Sequence, residues 1–156
     1  MDALNWKILE ALQENARLSY SEIGRKVGLS APAIAERIQR MEEGGIIQGY
    51  RTLLNLDKIG RPLKAVIGFR ISQTSKMLPF LHLLKDIPEV YECTRVTGKD
   101  CLFMKVAVRN SEELEKLIDR FIEFGETTTS IVLSTPVESR VFRKEAVPLE
   151  KERDKP

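Results

Sequence analysis

Ser19-Tyr20-Ser21-Glu22-Ile23-Gly24-Arg25-Lys26-Val27-Gly28-Leu29-Ser30-Ala31-Pro32 decides how this chain is read. Ser19 and Glu22 form a capping box, in which the hydroxyl accepts from the Glu22 amide and the carboxylate reaches back. A short helix follows with Ile23 and Val27 inward, and Gly28 ends it as a residue that tolerates positive φ. Ser30 then caps a further helix, and Pro32 is acceptable in a first turn whose amides have no intrahelical partner. A tight glycine-containing joint between a short helix and a capped one is the helix-turn-helix connection.

Working outward, Leu4, Ile8, Leu9 and Leu12 recur at helical spacing, so residues 2 to 14 read as an amphipathic helix with Asp2 at its start. On the other side, Ile34, Ile38 and Met41 face inward and Gly44-Gly45 stops the third helix. The joint turns that helix outward, so its N-terminal half can enter a major groove about 12 Å wide. Ala31, Ala33, Glu36, Arg37 and Arg40 remain on its outer face: small residues at the tip, and arginines long enough for guanine or phosphate. Charge agrees, because Met1 to Asn15 carries a net of −2 and Ala16 to Arg40 a net of +3, although the whole chain is only +2. The candidate DNA contacts are Ser19, Arg25, Lys26, Ser30, Ala31, Pro32, Ala33, Glu36, Arg37 and Arg40. Phosphate contacts are expected from Arg25, Lys26 and Arg40, and base reading from the segment Ser30 to Arg37. A plain three-helix bundle used for protein contact is the competing reading of the same residues.

Ile46 to Leu54 is β-like and Ile59-Gly60-Arg61-Pro62 is loop chemistry. Beyond it the period changes. Leu63 to Ile71 reads as a strand, about Lys76 to Lys85 as a helix, and Val90 to Thr97 and Cys101 to Val108 as strands joined by Gly98-Lys99-Asp100. Ser111 caps a helix carrying Leu114, Leu117, Ile118 and Phe121, and Thr127 to Glu138 is the last strand. The order βαββαβ is the ferredoxin-like split pattern. The fold class is therefore α+β: a three-helix (winged) helix-turn-helix domain, then a ferredoxin-like domain. Val66, Val106 and Val132 are too apolar for an uncovered sheet face, so a second copy is expected against it. A two-fold dimer also suits half-sites about 34 Å apart. The domains are read as 1–50, a linker strand and hinge at 51–62, 63–139, and a charged mobile tail at 140–156 with six cations and four anions.

Other functions find little support. No window approaches the roughly 18 apolar residues of a membrane helix, and no secretory signal precedes Trp6, so the chain reads as cytoplasmic. Cys93 and Cys101 lack zinc-site spacing, and His82 is the only histidine. No carboxylate pair, Ser-His-Asp set, metal cluster or glycine-rich phosphate loop points to catalysis, so no enzyme and no cofactor is expected.

Assembled, these residues resemble the Lrp/AsnC family of transcription regulators. The resemblance is carried by Ile8-Leu9 through Arg17-Leu18-Ser19, Glu22-Ile23-Gly24, Val27-Gly28-Leu29-Ser30, Glu36-Arg37-Ile38, Met41-Glu42 and Gly44-Gly45-Ile46-Ile47-Gln48-Gly49-Tyr50. In the second half Thr97-Gly98 and Thr127-Thr128-Thr129-Ser130-Ile131-Val132-Leu133 carry it, so it spans residues 2 to 138. It implies a DNA-binding transcriptional regulator that reads a pseudo-palindromic duplex site and assembles with itself as a dimer, tetramer or octamer. It also implies a small effector, often an amino acid, held between subunits. Carried over, that effector site comprises Gly98, Lys99, Asp100, Cys101, Thr127 and Thr129. The chain departs from the family's Gly-x-x-Asp at this turn, because Cys101 stands in the fourth place, and a neutral thiol cannot pair with an ammonium as a carboxylate does. Either Asp100 is recruited by a shifted turn, the ligand differs, or none is used. Asn5 stands where the family often has Asp. An architectural DNA-wrapping protein, and a small-molecule sensor whose helices serve only assembly, are the alternatives.

Overall fold

The computed structural model describes residues 1–144, which divide into two compact units. The helical unit comprises Met1–Thr52 together with residues 137–144; the sheet unit is Leu53–Pro136.

In the helical unit, α1 (Ala3–Glu14), α2 (Tyr20–Val27) and α3 (Ala31–Glu43) begin where their caps direct. The Asp2 carboxylate accepts from the Asn5 N–H at 2.7 Å. The capping box forms, with the Ser19 N–H donating to Glu22 Oε2 at 2.7 Å and the Glu22 N–H to Ser19 Oγ at 3.3 Å. Gly28 takes φ 77° and closes α2. Gly24 has a separate duty: a Cβ there would lie 2.4 Å from the Leu29 carbonyl oxygen, so only glycine lets the turn fold back this closely. Ile8, Ile23, Ile34, Ile38 and Met41 form the core, all 2% exposed or less. At about 1.5–3 kcal/mol for each fully buried aliphatic side chain, this cluster rather than helix propensity holds three short helices together.

The β-like run after α3 forms no strand: none lies between Glu43 and Leu63, so neither a wing nor a linker strand is present among the described residues. A strand needs a partner for its amides and carbonyls, and this segment has none among the described residues. Ile47 instead packs on the helical core, and the Tyr50 hydroxyl donates to Glu42 at 2.9 Å. In the region read as a charged tail, Phe142 and Arg143 meet side chains of α1; residues 145–156 lie outside the described residues.

The sheet unit follows the expected order, with β1 (Leu63–Ile71), a 3₁₀ turn and α4 (Met77–Lys85), β2 (Val90–Arg95), β3 (Leu102–Val108), α5 (Ser111–Ile122) and β4 (Gly125–Ile131). All neighbours are antiparallel in the order β2-β3-β1-β4. Both helices pack on the face carrying Ile67, Phe69, Leu102, Met104 and Val106. Phe69 stacks on Phe80 at 4.1 Å between ring centroids, and Phe121 meets Phe80 edge-on at 5.3 Å. Three local readings change. Asn110, not Ser111, caps α5, because its side chain accepts from the Glu113 N–H at 2.9 Å. The last strand begins at Gly125 and ends at Ile131, where its ladder with β1 runs out. Val106 is fully buried beneath the helices and is not on the open sheet face, as the register Ala65↔Val106 dictates. That open face carries Val66, Gly68 and Arg70 of β1, with Phe103 and Thr128 beside Gly68.

Candidate functional site

The outer surface of α3 follows from its buried stripe. With Ile34, Ile38 and Met41 inward, the 3.6-residue period leaves Pro32, Glu36, Gln39 and Arg40 exposed. Ser30 Oγ accepts from the Ala33 N–H at 3.4 Å, leaving Ala31 and Ala33 as a low, half-buried tip. Arg25 and Lys26 lie exposed in the last turn of α2. Arg40 extends to Glu36 one turn back, an exposed pair that a phosphate can displace at little cost. Ser19 is committed to its capping box, where its hydroxyl also donates to Glu22 Oε2 at 2.7 Å.

Arg37 is placed differently from the expectation. Its Nη1 donates to Asp2 Oδ2 at 2.6 Å and to Asn5 Oδ1 at 2.8 Å, and its side chain is only 30% exposed. It braces the start of α1 against α3 on the flank, away from the outer stripe. Asp2 thus has two tasks, and the Asn5 amide followed by the Arg37 guanidinium holds its carboxyl below the usual carboxylate range. Asn5 serves as a neutral acceptor while Asp2 supplies the charge. Beside the brace lies an open cleft of about 370 Å³ lined by Asp2, Asn5, Leu29, Ala33, Glu36, Arg37 and Arg40. Gln39 was missed by the sequence reading. It lies seven residues after Pro32 and three after Glu36, on the exposed stripe, and its Nε2 donates to Glu43 at 2.7 Å.

The residues expected to hold an effector do not converge on one face. Gly98 takes φ 124° in the turn and Lys99 is exposed. The Asp100 carboxylate lies over the β1 backbone on the open face: a Cβ on Gly68 would be 2.7 Å from its Oδ2 and 3.3 Å from the Phe103 ring. Cys101 turns the other way. Its N–H donates to the Phe69 carbonyl at 2.9 Å, its Sγ lies 3.2 Å from that oxygen, and the thiol packs against the sheet unit's core. Thr127 and Thr129 are paired with Phe69 and Ile67, which places them on the helix side. Asp100 is thus separated from Cys101 and both threonines: the chain entering β3 at Leu102 does not alternate, so Cys101 and Leu102 both face the core while Asp100 lies over Gly68. Gly68 lies beneath the Asp100 carboxylate, and Arg70, Phe103 and Thr128 share that open face. A glycine in the middle of an otherwise apolar strand was the signal that could have found them.

Residues 1–42 match the AsnC-type helix-turn-helix domain, and residues 64–142 match the Lrp/AsnC ligand binding domain. The chain belongs to the Lrp/AsnC family of transcriptional regulators. Regulatory protein AsnC of Escherichia coli is 32% identical over 141 residues, covering 88% of this chain and 93% of that protein. The HTH-type transcriptional regulator YezC of Bacillus subtilis is 34% identical over 135 residues, covering 86% of this chain and 95% of that one. The solved structure of Bacillus subtilis LrpC matches with a TM-score of 0.84 at 26% identity, covering 90% of this chain and 99% of LrpC. The Lrp/AsnC assignment accounts for both units, a helix-turn-helix followed by a ligand-binding sheet. No helix among the described residues is long and apolar enough to cross a membrane.

Proposed function

We propose that the chain acts in the cytoplasm as a homo-oligomer that binds duplex DNA at two-fold-related half-sites. The observation that carries this is the outward stripe of α3, capped at Ser30 and low at Ala31 and Ala33, beside exposed Arg25 and Lys26. Arg25, Lys26 and Arg40 engage phosphates, and Ser30, Ala31, Pro32, Ala33, Glu36 and Gln39 approach base edges. Arg37 acts indirectly by holding α3 on α1. The test is affinity for a duplex that the wild-type protein selects from a randomised pool, measured at several salt concentrations. Arg40→Ala is expected to reduce the salt slope by about one, as the loss of one phosphate contact requires. Arg37→Ala is expected to weaken binding with the slope unchanged. A flat slope for the wild-type protein overturns the reading.

The sheet unit binds a small ammonium-bearing effector, an amino acid by class, on its open face, with a second copy completing the enclosure. Support comes from the Asp100 carboxylate seated over Gly68, which has no hydrogen-bond or ion-pair partner among the described residues, and from the family model's ligand-binding description. Leucine-responsive regulatory protein of Haemophilus influenzae, 31% identical over 139 residues, is named for an amino acid. Thermal-shift screening with the amino acids tests it, because a ligand selective for the native state raises apparent stability. The stabilisation is expected with the wild-type protein and absent with Asp100→Asn; equal stabilisation of both removes Asp100 from the site.

A further inference from the structure

After the last strand the chain returns to the helical unit, and it docks on one face of α1. Gln13 meets Phe142 through both ends of its amide: Nε2 donates to the Phe142 carbonyl at 3.0 Å, and the Phe142 N–H donates to Oε1 at 2.9 Å. A side chain thereby supplies the two hydrogen bonds that a neighbouring strand would otherwise give this backbone. The same Nε2 lies 3.2 Å from the Leu9 carbonyl, which fixes the amide on the helix surface. The next residue, Arg143, lies 3.3 Å from Glu14 and 3.6 Å from Glu10, acids one turn apart on that face. The Phe142 ring stays 69% exposed, so the docking is polar and directional rather than a collapse of apolar surface.

Two further facts give the contact meaning. The first 15 residues carry a net of −2 beside the cationic window that follows, and Arg143 covers two of those acids. The segment is also continuous in sequence with the region that matches the ligand binding domain, 64–142, although its hydrogen bonds go to the helix-turn-helix unit.

We propose that residues 137–144 are a strap by which the ligand-binding unit holds the DNA-reading unit, with Glu10, Gln13, Glu14 and Arg143 as positioning residues. The strap gives the helical unit a second tether besides the chain at 52–53: it is covalently joined to the sheet unit at 136–137 and held on α1 by the Gln13 hydrogen bonds and the Arg143 ion pairs. A body attached twice has less orientational freedom to lose when two copies must engage two half-sites together. The hydrogen bonds carry most of this effect, because exposed ion pairs alone contribute little. The inference rests on the DNA-binding reading above.

Three full-length variants test it: Gln13→Leu, Arg143→Glu, and the charge swap Glu14→Arg with Arg143→Glu. Hydrogen exchange at the Phe142 amide, measured without DNA, is expected to be slow in the wild-type protein and about tenfold faster in Gln13→Leu, as the loss of a net hydrogen bond implies. Binding is then measured to the duplex selected by the wild-type protein, and to the same duplex with one half-site scrambled. Gln13→Leu is expected to bind the two-site duplex about tenfold more weakly, and Arg143→Glu, which adds repulsion from Glu10 and Glu14 to the lost pairs, about threefold, with the scrambled duplex changed by much less in each case. The charge swap is expected to restore two-site binding. Equal loss on both duplexes, or no loss on either once the amide is deprotected, overturns the strap's role. A wild-type protein that selects no duplex overturns the DNA-binding reading and the strap's role with it, while the amide exchange still reports the docking by itself.

Discussion

Two glycine turns at positive φ, Gly28 in the helical unit and Gly98 in the sheet unit, have opposite relations to the residues around them. At Gly28 the neighbours are fixed locally: Gly24 admits the returning Leu29 carbonyl, Ser30 caps the next helix, and α3 follows from those two facts. At Gly98 the turn itself says little. Asp100 and Cys101 precede β3, and β1 places them: the Cys101 N–H donates to the Phe69 carbonyl, while the Asp100 carboxylate lies over Gly68 on the opposite face. A helix start carries its own geometry, whereas a strand's faces are assigned by partners tens of residues away.

The comparison can be pressed hardest in the sheet core. Phe80→Ala is expected to destabilise the sheet unit by about 3–5 kcal/mol, as aromatic truncation in a packed core does. Denaturant unfolding should show this loss in the sheet unit while the helical unit's transition stays in place. Next comes Gly24→Ala, expected to cost the helical unit about 1–3 kcal/mol through forced overpacking against the Leu29 carbonyl. An unchanged melting temperature would show that the α2–α3 turn relaxes freely and that its geometry is not locally fixed. Ser30→Ala should cost about 1 kcal/mol, the usual value of a lost N-cap, and Ser30→Asp should restore it.

The smallest effect is a pH dependence. Asp2 and Glu22 are both held below their ordinary values, Asp2 by the Asn5 amide and Arg37, and Glu22 by the Ser19 hydroxyl and amide. A depressed carboxyl stabilises the fold above its unfolded pKa, and that contribution is lost as pH falls through the folded value. The helical unit is therefore expected to weaken as pH falls through the ordinary carboxylate range and on below it, and Asp2→Asn should flatten part of that decline. A helical unit that weakens instead as pH rises from 5 to 8, a window set by the ordinary histidine range, would contradict both assignments.

Much of the candidate DNA surface was legible because it is written in nearby residues. Ser19 with Glu22, Gly28, Ser30, and the spacing Ile34, Ile38, Met41 each have one physical outcome. The partners of Arg37 were not legible, for a reason of the same kind. Its position on α3 is local information, but the acceptors Asp2 and Asn5 stand more than 30 residues earlier, and only the packing of α1 on α3 brings them together. The faces of the expected effector residues were not legible for want of register: Thr127 and Thr129 are sound strand residues whichever face they occupy.

Sequence alone determined the three capped helices, the βαββαβ order and the cationic window, because caps, glycine turns and hydrophobic period act within a few residues. Tertiary structure decided that Arg37 bonds Asp2 and Asn5, that Asp100 stands apart from Cys101 over Gly68, that Val106 lies beneath the helices, and that Phe142 returns to Gln13. Each of these depends on which distant partner satisfies a hydrogen bond or shares a sheet face, and no local pattern encodes that choice.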